Sequence, residues 1–175
     1  MINRKQFIAH STLAATGLLF ESFAQPLSFP SVREGFQLKI LATDWGFPGS
    51  LDEYGAKVRN AGYDGIEIWW SLDPGRQKEV FAMLKKYGLE VGFLCGGSES
   101  DPKEHFNHFK QMVEGAARNP TQRPLYINCH SGRDFFSYDE NKPFIDLTTA
   151  LTRETGIRIM HETHRSRILY SAPVA

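Results

Sequence analysis

From residue 36 onward the chain repeats one unit: a short apolar β-rich run, a loop, an amphipathic helical stretch, and then the next apolar run. Residues 36–43 open the series, and Asp44-Trp45-Gly46-Phe47-Pro48-Gly49 reads as the loop that closes this strand. Ser50, with Glu53 three residues later, forms a capping-box pattern. Leu51, Tyr54, Val58 and Ala61 then share one helical face that ends near Gly62. Residues 65–70 are the second strand. Residues 74–87 are the second helix, striped by Val80, Phe81 and Leu84 and stopped by Gly88. Residues 89–95 are the third strand, and Asp101-Pro102 starts a third helix that runs to about Ala117. A strand over 124–129, a helix over 139–155 ended by Gly156, and a strand over 157–162 complete the series. Such alternation implies parallel strands joined by right-handed crossovers.

Two architectures meet that demand, a doubly wound open sheet and a (β/α)8 barrel. The first strand-to-helix turn lacks a Gly-x-Gly-x-x-Gly phosphate loop, and no Gly-Lys-Ser/Thr follows any strand. Alternate strand positions put Glu67, Asn128, His130, Arg158 and Glu162 on one face and Ile66, Ile68, Leu125, Ile127, Ile157 and Ile159 on the other. An open sheet covered on both sides needs both sets apolar. A barrel needs only the helix-facing set apolar, and it gathers polar groups at the C-terminal ends of its strands. The pattern favours the barrel.

Bulk composition sets the outer bounds. With 41% hydrophobic and 13% aromatic residues the chain can bury a core, and its 2 cysteines exclude a disulfide scaffold. Twenty Lys+Arg balance 20 Asp+Glu, and no basic run exceeds two residues, so nucleic acid is not an expected partner. Nothing approaches the roughly 20 consecutive apolar residues of a membrane span. Residues 1–24 carry Arg4 and Lys5, a weakly apolar stretch and Ser22-Phe23-Ala24, the layout of an export signal cut after Ala24. Asn3-Arg4-Lys5-Gln6-Phe7-Ile8 is similar to a twin-arginine signal, which implies a bacterial periplasmic or secreted protein. Residues 25–35 read as a linker. Cys95 and Cys129 each end an apolar run and read as buried thiols, with a disulfide between neighbouring strands left open.

Three constellations carry the chemistry: Gly62-Tyr63-Asp64-Gly65-Ile66-Glu67, His130-Ser131-Gly132-Arg133-Asp134 and His161-Glu162-Thr163-His164-Arg165. With the order of elements, they resemble the sugar phosphate isomerase/epimerase family, whose fold is the xylose isomerase-like TIM barrel. The resemblance implies a divalent metal (Mn, Mg, Co or Zn) at the barrel mouth and proton transfer alpha to the carbonyl of a sugar or sugar phosphate. By the same resemblance Glu162 takes the place of the fifth-strand glutamate, both metal ligand and acid or base. The family's other three ligands follow on later strands and have no counterpart here. Residues 36–175 are thus expected to form a partial TIM barrel of about five parallel strands with four intervening helices. Eight units typically take about 250 residues. The chain, at 175, is expected to be a fragment, a truncated product or a subunit needing a complementing chain or a second copy, with negligible isomerase activity by itself.

The remaining site residues have two readings each. His130 is either a satisfied barrel histidine or a donor to a substrate hydroxyl. Glu67 is similar, since an inward carboxylate beneath Trp69 is costly unless paired. His164 and Arg165 read as substrate or phosphate contacts, or as solvated loop residues. Asp44 and Trp45 suit a sugar platform or a barrel plug. His161 faces the helices and reads as structural. His105 and His108 have metal-like spacing but no third ligand in sequence, and read as a surface helix face. The alternatives to an isomerase are a non-catalytic sugar-binding remnant and a metal-dependent apurinic-site endonuclease relative. An export signal and a slightly acidic mature chain count against the latter.

Overall fold

Local signals set the helix ends. Ser50 caps α1 (Leu51–Asn60), its hydroxyl accepting from the Glu53 N–H while the Glu53 carboxylate accepts from the Ser50 N–H. Asp73 caps α2 (Pro74–Tyr87), and Gly88 stops it in the left-handed conformation at φ 60°. Asp101 followed by Pro102 starts α3 (Pro102–Arg118). In α4 (Tyr138–Thr155) a second capping box, Ser137 with Glu140, begins the helix one residue before the expected start, and Gly156 ends it. The computed structural model describes Gly35 and residues 37–170. The expected export signal lies outside the described residues, as does all of the linker but Gly35.

Five strands alternate with these helices: β1 (Leu41–Thr43), β2 (Gly65–Trp69), β3 (Glu90–Gly96), β4 (Ile127–His130) and β5 (Ile159–His161). All pairings are parallel and the order is β1-β2-β3-β4-β5. A doubly wound sheet would reverse direction midway; sequential order is what the wall of a barrel requires. The outer strands are shorter than expected, three residues each. Each has a ladder partner on one side only, so fewer of its extended residues are paired.

Right-handed crossovers put the helices on one face of this sheet. There Ile66, Ile68, Val91, Phe93, Cys95, Ile127 and Cys129 are buried against Tyr54, Val58, Val80, Leu84, Phe109, Val113, Phe144 and Leu151. Full burial of each large aliphatic or aromatic side chain contributes about 1.5–3 kcal/mol. Both thiols are free and buried, paired in register across β3 and β4. His105 corrects the reading of a surface helix face: it is fully buried in this core, its ring edge-on to Phe136 and Phe144.

The opposite face carries Glu67 and Trp69, Gly92 and Gly96, Tyr126, Asn128, His130 and Met160. A Cβ on Gly92 would lie 2.7 Å from the Tyr126 ring. Glycine there lets that ring cross β3, and the Tyr126 hydroxyl donates to Glu67 Oε2 at 2.6 Å. Trp69 remains 39% and Met160 37% exposed. Among the described residues no helix is long and apolar enough to cross a membrane.

Candidate functional site

The register of β4 with β5 builds the site. Cys129 pairs with His161, and the Glu162 N–H donates to the Cys129 carbonyl at 3.0 Å, extending the ladder one residue beyond β5. His130 and Glu162 therefore emerge side by side at the C-terminal ends. His130 Nε2 lies 2.8 Å from Glu162 Oε2, and Asn128 Nδ2 donates to the same oxygen at 2.9 Å. An ionised carboxylate only accepts, so this network assigns the His130 proton to Nε2. The His130 side chain is 7% exposed and that of Glu162 36%. The pair is thus half-sheltered, with the carboxylate facing outward.

Aromatic rings fix the imidazole from two sides. Trp69 meets His130 edge-on at 5.1 Å and 76°, while His164 stacks on it at 4.7 Å and 27°. Gly96 makes room for this packing, because a Cβ there would lie 3.1 Å from His130 Cβ and 3.3 Å from Trp69. The structure thus brings Glu162, His130 and His164 together and adds Asn128 and Trp69. The sequence pattern placed Asn128 on this face, but nothing in it marked the residue as a partner of Glu162.

The other expected site residues lie elsewhere. Glu67 pairs in register with Gly92, two same-face levels below the Gly96–His130 pair, and is bound to Tyr126 rather than to the His130–Glu162 group. Burial and this carboxylate together push the Tyr126 hydroxyl pKa up. The Asp44 carbonyl closes a turn by accepting from the Phe47 N–H at 3.0 Å. Trp45 is 62% exposed and lines a groove of about 420 Å³ with Phe47, Tyr54 and Tyr63. β1 stands three strand positions from β4, about 14 Å at normal strand spacing, so the five-stranded sheet does not bring Asp44 or Trp45 to His130. Arg165 is exposed, and its carbonyl accepts from His164 Nδ1 at 2.7 Å.

Behind the site, His161 faces the helices as its alternation requires. Its Nδ1 is 2.5 Å from Ser131 Oγ and its Nε2 2.8 Å from Thr148 Oγ1. Thr148 donates to helix carbonyls, so it accepts from His161 Nε2–H and the Ser131 hydroxyl donates to Nδ1. Burial lowers the His161 pKa from 6.5 to about 4. His108 Nδ1 meets Glu99 Oε1 at 2.5 Å, and His105 Nδ1 meets the Glu99 carbonyl at 3.0 Å. The two histidines therefore share a neighbour that sequence spacing could not reveal.

Among the described residues no three His, Cys, Asp or Glu side chains converge as a metal site. Glu162 Oε2 already receives two donors, which leaves Oε1 to bind anything else. Catalytic metals take about three protein ligands, so the described residues do not by themselves fit the divalent ion that the family resemblance implies.

Fold and site together define a five-stranded part of a TIM barrel, with a His–carboxylate pair on its C-terminal rim. Among solved structures the chain is similar to the crystal structure of a D-tagatose 3-epimerase-like protein, with a TM-score of 0.54 and 17% identity. The likeness covers 75% of this chain and 56% of that one, so the chain spans little more than half that protein's length. At this identity it is a likeness of fold. A second and weaker likeness is to the arginine decarboxylase of Paramecium bursaria Chlorella virus, with a TM-score of 0.40, 13% identity, and 63% and 36% of the two chains covered. No protein-family model and no curated protein matches the sequence.

Proposed function

We propose that this chain supplies one acid–base arm of a sugar isomerase or epimerase site, with Glu162 moving the proton on the carbon next to a sugar carbonyl. The observation that carries this reading is the pair of donors, His130 Nε2 at 2.8 Å and Asn128 Nδ2 at 2.9 Å, on a single oxygen of Glu162. They fix the carboxylate through Oε2 and leave Oε1 outside these two bonds, to act as the base. The His130 Nε2–H and Asn128 amide bonds stabilise the ionised carboxylate, and they stay on Oε2 when Oε1 takes up the proton from carbon and when it gives that proton back. The half-exposed Trp69 ring gives an apolar surface for the C–H face of a sugar beside the same pair.

Inversion at carbon needs a second group on the opposite face to return the proton. Among the described residues Glu162 is the carboxylate hydrogen-bonded to His130, and none faces it across the sheet as a partner in the same network, so the reaction expected of the 175-residue chain is the first half. It is removal of a proton alpha to the carbonyl and its return to the same face. The test is solvent deuterium wash-in to a ketohexose such as tagatose, followed by proton NMR with and without added Mn²⁺ or Mg²⁺. Deuterium should enter without epimer formation, and Glu162→Gln should abolish it. Wash-in that Glu162→Gln leaves unchanged would overturn the role of this residue. Quenching of tryptophan fluorescence by sugar, without any wash-in, would favour a non-catalytic sugar-binding protein. Export to the periplasm stays with this reading as a proposal, checked by mass spectrometry for a secreted chain that begins at Gln25.

A further inference from the structure

Two arginines from different loops hold neighbouring carbonyls of a third. Arg133, after β4, donates from Nη2 to the Ser98 carbonyl. Arg167, after β5, donates from Nη1 to the Gly97 carbonyl at 2.8 Å. Gly97 and Ser98 lie in the loop after β3, so the clamp stitches three strand ends together. Burial and then the like charge of Arg133 lower the Arg167 pKa, and the Glu99 carboxylate offsets part of this.

The segment after β5 runs back across the rim beneath this clamp. The Ile168 N–H donates to the Ser131 carbonyl at 3.3 Å, and the Ile168 side chain is buried. The turn that makes this path uses Ser166 at φ 64°, the one non-glycine left-handed residue among those described. A side chain in that region costs energy, so the turn persists only where its surroundings hold it. The same segment carries His164, whose ring lies flat on His130. Trp69 and His164 restrain the plane of the His130 ring, and within that plane the bond to Glu162 selects the orientation with Nε2–H toward the carboxylate.

We propose that Arg167 is a positioning residue. By tying the segment after β5 to the Gly97 carbonyl it keeps His164 stacked on His130, and so keeps the His130–Glu162 hydrogen bond formed. The inference rests on the acid–base reading only for its consequence in catalysis. Its structural content is tested without substrate.

The experiment is NMR of the full chain with labelled histidine rings. The wild type should show a ring-to-ring NOE between His130 and His164 and a His130 Hε1 signal displaced by the stacked ring. In Arg167→Met, which has no donor for Gly97, the NOE should vanish and the His130 signal should move toward its unstacked position, while Arg167→Lys, which keeps a donor, should largely retain both. A wild type without the NOE, or a folded Arg167→Met with both signals unchanged, overturns the proposal. If Arg167→Met fails to fold, His164→Ala decides. It leaves the clamp in place and must move the His130 signal, and an unmoved signal overturns the proposal. Where deuterium wash-in is seen, Arg167→Met should slow it roughly tenfold to a hundredfold, as expected when a reacting group is misplaced by about 1 Å. Absence of wash-in in a wild type that shows the NOE would instead count against the acid–base reading and leave the positioning role standing.

Discussion

At the scale of single residues, His161 ties the stability of the molecule to pH. Its pKa falls from 6.5 to about 4 because burial disfavours the charged ring, so between those values the unfolded chain binds more protons than the folded one. Stability is then fully present above about pH 6.5 and is lost as pH falls toward 4. The loss is on the order of 3 kcal/mol for a shift of this size in a mostly buried ring. His105 is shifted in the same direction, with burial again the first cause, and steepens the same window. Urea unfolding of His161→Asn should therefore show a shallower slope of stability against pH between 4 and 6.5 than the wild type. An identical slope would mean that His161 titrates normally. Ser166 allows an independent check. Ser166→Gly removes the Cβ penalty at φ 64° and should raise stability by up to about 1 kcal/mol, less the entropy that glycine adds to the unfolded chain. His130 and Glu162 were legible in the sequence because strand alternation put them on the polar face at strand ends. His105 was not, since its burial depends on Phe136 and Phe144, which reach it from another loop and helix.

At the scale of elements, helices were more legible than strands, and the reason is local chemistry. A cap or a terminating glycine acts within three or four residues of sequence, so α2 was placed at both ends by Pro74 and Gly88. A strand ends where its partner ends, and that is set by a segment some 30 residues away. Hence residues 36–43 shrank to Leu41–Thr43, and 157–162 to Ile159–His161. Ser137, which sequence reading passed over, caps α4 through the Glu140 N–H and its own N–H. Ser137→Ala should cost about 1 kcal/mol in thermal or urea unfolding, and a cost near zero would mean that water replaces the cap. Gly92 is a stricter case. Ala at this position would put a methyl 2.7 Å from the Tyr126 ring and should cost about 1–3 kcal/mol through overpacking. Tyr126→Ala in the same chain should recover part of that loss, because the clash goes with the ring. Additive losses in the double mutant would place the strain elsewhere.

At the scale of the whole molecule, the sheet is covered by helices on one side and, among the described residues, by none on the other. Helices α1 to α4 bury one face, while on the opposite face Glu67 is paired with Tyr126 and Glu162 with His130 and Asn128. Trp69 and Met160 remain partly exposed on that face. In a closed barrel both would point into a packed interior. In the five-stranded sheet they stand beside edge strands whose outward N–H and C=O groups have no ladder partner among the described residues, an arrangement that invites association. The 175-residue chain should therefore self-associate as its concentration rises, with the uncovered face and the β1 and β5 edges as the contact. Met160→Lys is the discriminating change. Met160 lies on β5 at a half-exposed position, so a lysine there can reach solvent without entering the helix-side core. It places a charge on the open face and should shift sedimentation toward the monomer with little change in unfolding midpoint. A lower midpoint without any change in association would show that Met160 is packed in the chain as it exists in solution.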